Sequence, residues 1–222
     1  TCSRNVDAGF SIVSYTGNGT GGATIGHGLS QAPDMVISKS RDSAEDWGVY
    51  VRPLGATLAL YLNRTLAAED SISDWHDTDP SSTLITLGYG AQTNTSGDDF
   101  IQYVFHSVDG YSKVGSYTGN NAADGTFIYT GFRPAYVLFK RTDSTSSWTI
   151  LDNTRDTINP INGHIRVQTT DGEFTTDPVS IADFTSNGFK LRTATDANDW
   201  NAAGTYIYLA FAETPFKYSN AR

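Results

Sequence analysis

Cysteine is nearly missing from this chain: Cys2 is the only one in 222 residues. No internal disulfide can form, so packing and hydrogen bonding must hold the fold together. Cys2 reads as a free thiol in a frayed end, with an intermolecular attachment point as the sharper alternative. Long apolar runs are missing too. None approaches the roughly 20 residues that span a bilayer, so no membrane partner is expected. Basic residues are scarce, 15 Lys and Arg against 24 Asp and Glu, for a formal net charge of −9. Phosphate recognition needs clustered cations, which argues against nucleic acid as a partner. The first eight residues carry neither the charged head nor the apolar run of a secretory signal, and there is no initiator Met. A processed chain, or the ordered part of a longer one, is therefore expected.

Catalytic patterns are equally thin. Histidines stand at 27, 76, 106 and 164, none at metal-ligand spacing with another His or a Cys, so no zinc site is expected. There is no Gly-x-Ser-x-Gly elbow and no phosphate-binding loop. The run Gly17-Asn18-Gly19-Thr20-Gly21-Gly22 leads into a strand, and so reads as a hairpin loop. Glutamate occurs only at 45, 69, 173 and 213. Glu213 follows an apolar strand, a place for a catalytic carboxylate or an edge one. Nothing groups an acid, a base and a nucleophile, so no enzyme and no cofactor are expected.

What is present is an internal repeat. Ser14-Tyr15-Thr16-Gly17-Asn18 recurs as Ser116-Tyr117-Thr118-Gly119-Asn120. Val36-Ile37-Ser38-Lys39 matches Val137-Leu138-Phe139-Lys140, and Trp47-Gly48-Val49 matches Trp148-Thr149-Ile150. Asn94, Gly97 and Phe100-Ile101 match Asn201, Gly204 and Tyr206-Ile207. The junction falls near Asp109-Gly110 with almost no linker. The expected organisation is an extension at 1–8, a first module at 9–109, a second at 110–218 and a tail at 219–222. Modules so closely joined are expected to pack together. The first module carries 4 basic and 12 acidic residues, the second 10 and 11 including the tail, so the two are expected to meet different neighbours.

The periodicity is that of strands. Pro33 and Pro134 each open an apolar run, where a missing amide costs no ladder bond. Each module carries six or seven short β-rich segments separated by Gly, Asn, Asp, Ser and Thr turns. The only helical candidate is a short stretch at 65–71. The predicted fold is all-β: two tandem antiparallel β-sandwiches of jelly-roll-like type related by the repeat, or one larger sandwich with internal pseudo-symmetry.

Two groups of residues suggest ligand chemistry. Asp74, Asp77 and Asp79 are three carboxylates at short spacing, hard oxygen ligands that would suit calcium, although the EF-hand glycine and closing Glu are missing. Trp47 and Trp148 lie at equivalent places in the repeat and are expected in the core. Trp75 and Trp200 lie in polar loops and are not repeated. They are the expected exposed rings for stacking on a sugar.

The repeated phrase resembles a family. Ser14-Tyr15-Thr16-Gly17-Asn18-Gly19-Thr20, Gly26-His27-Gly28-Leu29, Pro33-Asp34-Met35-Val36-Ile37 and the ending Tyr206 to Phe216 are similar to an uncharacterised duplicated β domain of tailed bacteriophages, above all marine and cyanobacterial ones. The resemblance spans 9–216 and carries no catalytic residues. It implies a virion location in a tail fibre or a head decoration, contacts with other virion proteins, homo-oligomerisation, and attachment to a host surface. A lectin-like module reading host surface glycans is the alternative, and a glycan-degrading enzyme the third.

Overall fold

The computed structural model describes residues 1–175, 180–194 and 200–215. The tail at 219–222 and Phe216 lie outside the described residues. The chain is all-β, with several antiparallel sheets in a sandwich-type arrangement, and divides into two compact units, Thr1–Ser107 and Val108–Arg222.

The first unit contains β1 (Cys2–Asn5), β2 (Phe10–Thr16), β3 (Ala23–Gly26), β4 (Met35–Ser40), β5 (Gly48–Val51), β6 (Leu58–Tyr61), β7 (Glu69–Asp70), a single helical turn α1 (Ile72–Trp75), β8 (Leu84–Leu87) and β9 (Asp99–Phe105). Seven of these form one sheet in the order β1-β2-β9-β4-β5-β6-β7, and β3 pairs with β8 in a separate layer. The second unit contains β10 (Ser112–Gly119), β11 (Phe127–Tyr129), β12 (Pro134–Arg141), β13 (Thr149–Asp152), β14 (His164–Arg166), β15 (Ala182–Thr185), β16 (Gly188–Leu191) and β17 (Gly204–Ala212). Its sheets run β10-β17-β12-β13-β14 and β11-β16-β15. The order β2-β9-β4-β5-β6 is thus repeated as β10-β17-β12-β13-β14, so the repeat written in the sequence is a repeat of topology.

Two details differ from the sequence reading. The segment read as an extension with a frayed cysteine adds an edge strand, with Cys2 opposite Val13 and Asn5 opposite Phe10. Its four residues stay exposed, which is why no hydrophobic alternation betrays it. The helical turn lies at Ile72–Trp75, just after the stretch expected.

The inner faces supply the cores. In the first unit Val13, Val36, Tyr50, Ala59, Trp75, Ile85, Leu87 and Val104 pack together. In the second, Tyr117, Val137, Phe139, Leu151, Phe184, Phe189, Trp200 and Tyr206 do so. Tyr15 stacks on Phe100 at 5.3 Å between centroids, and Tyr117 stacks on Tyr206 at 4.6 Å. Each tyrosine hydroxyl donates to a loop carbonyl: Tyr15 to Thr93 at 2.5 Å, Tyr117 to Trp200 at 3.0 Å.

The residue after each of those carbonyls is the asparagine of the repeat, and it locks three chain segments. Asn94 Nδ2 donates to Asn18 Oδ1, to the Thr20 carbonyl and to the Gly88 carbonyl, while its Oδ1 accepts the Asn18 amide. Asn201 Nδ2 donates to Asn120 Oδ1, the Ala122 carbonyl and the Thr193 carbonyl, and its Oδ1 accepts the Asn120 amide. Both asparagines are 1% exposed, and their bonds to the Gly88 and Thr193 carbonyls are buried, so those carbonyls have no water to turn to.

A second repeated device shapes the turn after β3 and β11. Leu29 donates its amide to His27 Nδ1 at 3.2 Å, and Phe132 donates its amide to Thr130 Oγ1 at 3.4 Å. The glycines between, Gly28 and Gly131, hold φ of 72° and 87°, which favours glycine in both copies. His27 is fully buried, and burial holds its imidazole below its ordinary value. The neutral ring suits a donor at Nε2, 3.2 Å from the Ser81 carbonyl, and an acceptor at Nδ1.

Replacing Asn94 or Asn201 by Ala strands the buried Gly88 or Thr193 carbonyl and loosens the loop amide of Asn18 or Asn120, and should cost about 1–3 kcal/mol in either unit. Urea unfolding checks this: a loss below about 0.5 kcal/mol in both variants contradicts the clamp. Replacing Asn by Asp preserves shape but removes the donors, and should be at least as damaging.

Candidate functional site

Both tryptophans expected as exposed rings are buried, and the expectation is corrected. Trp75 is 1% exposed and lies edge-on to Tyr50 at 6.0 Å. The turn of α1 swings it inward together with Asp74. Trp200 is 2% exposed, sits in the second core and meets the His164 ring edge-on at 5.0 Å. Its polar neighbours at 195–199 lie outside the described residues. Of the pair expected in the core, Trp148 is fully buried and Trp47 half-buried. Their backbones match all the same. Each amide donates to a side-chain carbonyl beyond the next strand, Asn63 or Gln168, and each carbonyl accepts an amide from Leu62 or Val167.

The three carboxylates read as calcium ligands do not converge, which corrects that expectation. Asp74 points inward, its Oδ2 accepting from Tyr61 Oη at 3.1 Å and Ser71 Oγ at 2.5 Å. Asp79 accepts from Tyr50 Oη and the Ala56 amide. Asp77 is exposed between them, because His76 and Asp77 both take positive φ, 51° and 47°, and turn the chain. Among the described residues, no three His, Cys, Asp or Glu side chains gather as metal ligands. Glu213 is bound at the sheet edge, receiving Arg133 and the Asn153 amide nitrogen.

Exposed aromatic rings are found instead on the outer face of the β11-β16-β15 sheet. The burial of β11 alternates exposed, buried, exposed. Ile128 enters the core, so Phe127 and Tyr129 must face outward. They are 43% and 64% exposed. Register defines the rest of the face, because directly opposed residues share a side. Phe127 lies opposite Lys190, which lies opposite Asp183; Tyr129 lies opposite Gly188, which lies opposite Thr185.

Gly188 is itself buried. A Cβ there would stand 2.1 Å from the Ile128 carbonyl oxygen and 3.1 Å from the tip of the Phe127 ring. No side chain fits without moving backbone, so the close approach of the neighbouring main chain and of the ring requires glycine here. The charges at the rim are paired. Lys190 Nζ meets Asp124 at 2.6 Å, and Arg192 Nε donates to Asp183 at 2.6 Å. The lysine beside it holds the exposed Asp124 carboxyl below the usual carboxylate range.

The corresponding face in the first unit has no aromatic ring on either paired strand. There Thr24 and Gly26 flank the buried-side Ile25, opposite Thr86 and the exposed Leu84. The aromatic pair is therefore a property of one copy. Sequence reading missed it because β11 is only three residues long. The signal that finds it is the comparison of Thr24-Ile25-Gly26 with Phe127-Ile128-Tyr129: the inward residue is kept and both outward ones change.

The chain belongs to the DUF7483 family, described as a domain of unknown function, whose model matches residues 1–215. No curated protein and no solved structure matches it.

Asp74 yields a pH prediction. Burial pushes its carboxyl above the usual carboxylate range, and the hydrogen bonds from Ser71 and Tyr61 only partly oppose this. A raised folded-state value means that the folded chain takes up the proton before the unfolded chain does. The associated stability is complete below about pH 4 and is lost as pH rises through the raised value. The stability difference between the parent and Asp74→Asn should therefore shift in the parent's favour between pH 7 and pH 4.5. Urea midpoints that run parallel over that range contradict the assignment.

Proposed function

We propose that this member of the DUF7483 family is a non-enzymatic attachment module carried on the outside of a tailed bacteriophage particle, in a tail fibre or a head decoration. The observation that carries the attachment role is the exposed Phe127 and Tyr129 pair, present on the second unit where the first has Thr24 and Gly26. A pair of large exposed rings on a rigid sheet costs solubility and contributes nothing to its own core, so a contact with something outside the chain accounts for it. The virion setting rests on the resemblance of the repeated Ser-Tyr-Thr-Gly-Asn phrase and its neighbours to phage domains. Homo-oligomers and neighbouring virion proteins are the partners such a place implies.

The non-enzymatic reading draws on how the polar interior is used. The buried Asp74, Asn94, Asn201 and His27 all bond to the chain's own backbone or side chains.

Immunogold microscopy tests the location. On intact particles from a phage whose genome encodes this chain, antibody should decorate the exterior at symmetric positions. Label that is seen only after particles are disrupted, or not at all, removes the proposal.

A further inference from the structure

We propose that the outer face of β11-β16-β15 binds a neutral hexopyranose polysaccharide, with Phe127 and Tyr129 stacking on its sugar rings. The inference rests on the reading of this face as the contact surface and names what it contacts.

Three features select the ligand. The first is spacing. Residues two apart on a strand stand about 7 Å from each other, so the two rings form an extended strip along β11. Both lean the same way: Phe127 toward Gly188, and Tyr129 toward Gly131, whose Cβ would lie 3.7 Å from the tyrosine Oη. A strip suits a chain of repeating units better than one small molecule. The second is the surface offered. The ring faces carry negative quadrupole, which attracts the polarised C–H groups on the flat side of a pyranose. On the same face, one strand beyond β16, Thr185 and Asp183 carry groups able to bond equatorial hydroxyls.

The third is charge. Asp124, Asp183, Lys190 and Arg192 are two acids and two bases, joined in two pairs. Among these four described residues an anionic polymer would find no unpaired cation, and a cationic one no unpaired acid. A protein docking through an apolar patch would gain little from a rim of satisfied ion pairs. A neutral polyhydroxylated chain needs neither net charge nor a deep pocket.

Affinity electrophoresis of the full chain tests this, with dextran, laminarin or galactomannan in the gel and polygalacturonate as the anionic comparison. Retardation is expected in at least one neutral polymer and not in polygalacturonate. Phe127→Thr with Tyr129→Ser, both on exposed positions, should weaken binding roughly tenfold or more while leaving the unfolding midpoint unchanged. Absence of retardation in all three neutral polymers overturns the inference, as does retardation undiminished in the double variant. Self-association of the chain that is lost in the double variant, without retardation of the parent, also overturns it and assigns the face to a second copy. Exterior gold label without glycan binding leaves the attachment reading standing and removes only the ligand. Glycan binding without exterior label does the reverse.

Discussion

Everything in this fold depends on satisfying buried backbone groups where loops cross the ends of the sheets. The chain has no disulfide to hold those crossings. It uses a carboxamide instead. One asparagine side chain is long enough to reach three segments, and its amide offers two donors and one acceptor in a fixed plane. Asn94 ties the β2–β3 loop to the loop after β8, and Asn201 ties the equivalent segments. An unmade hydrogen bond in such a place costs more than a made one contributes. That asymmetry explains why both copies keep the same residue at the same point, beside a tyrosine hydroxyl that fastens the preceding carbonyl. With the crossings fixed, the surrounding loops are free to vary.

The scaffold was legible in the sequence because its signals are short-range. The alternation in Phe10 to Tyr15, the prolines that open the β4 and β12 runs, and the doubled Ser-Tyr-Thr-Gly-Asn phrase report local geometry, and local geometry survives into the fold. The role of Asn94 and Asn201 was not legible. The match placed them at equivalent points, but which carbonyls they meet depends on segments up to 83 residues apart in hydrogen-bonded contact, as with the neighbouring Tyr117 and Trp200.

Trp75 and Trp200 show the opposite failure. A tryptophan among Asp and Asn residues looks solvated, because neighbours in sequence are polar. Yet the large ring removes so much apolar area from water on burial that a turn delivers it to the core whatever lies beside it. Asp74 goes in along with Trp75, and Tyr61 and Ser71 satisfy one of its oxygens. The carboxylates that looked like a cation site are therefore parted by the same turn that buries the ring. Composition around a residue told less than the direction its backbone takes.

Duplication supplies its own control for function. Several residues on which the two copies agree face the interior or shape a turn: Asn94 and Asn201, Gly28 and Gly131, Ile25 and Ile128. At β3 and β11 the pattern of agreement is itself informative, since a three-residue match keeps its centre and replaces both flanks. Packing demands explain the centre, because Ile128 enters the second core. They do not explain the flanks, because Phe127 and Tyr129 leave nearly half or more of their surface in water. A change confined to the outward positions of one copy, between charges already paired, is not required by the packing that both copies share.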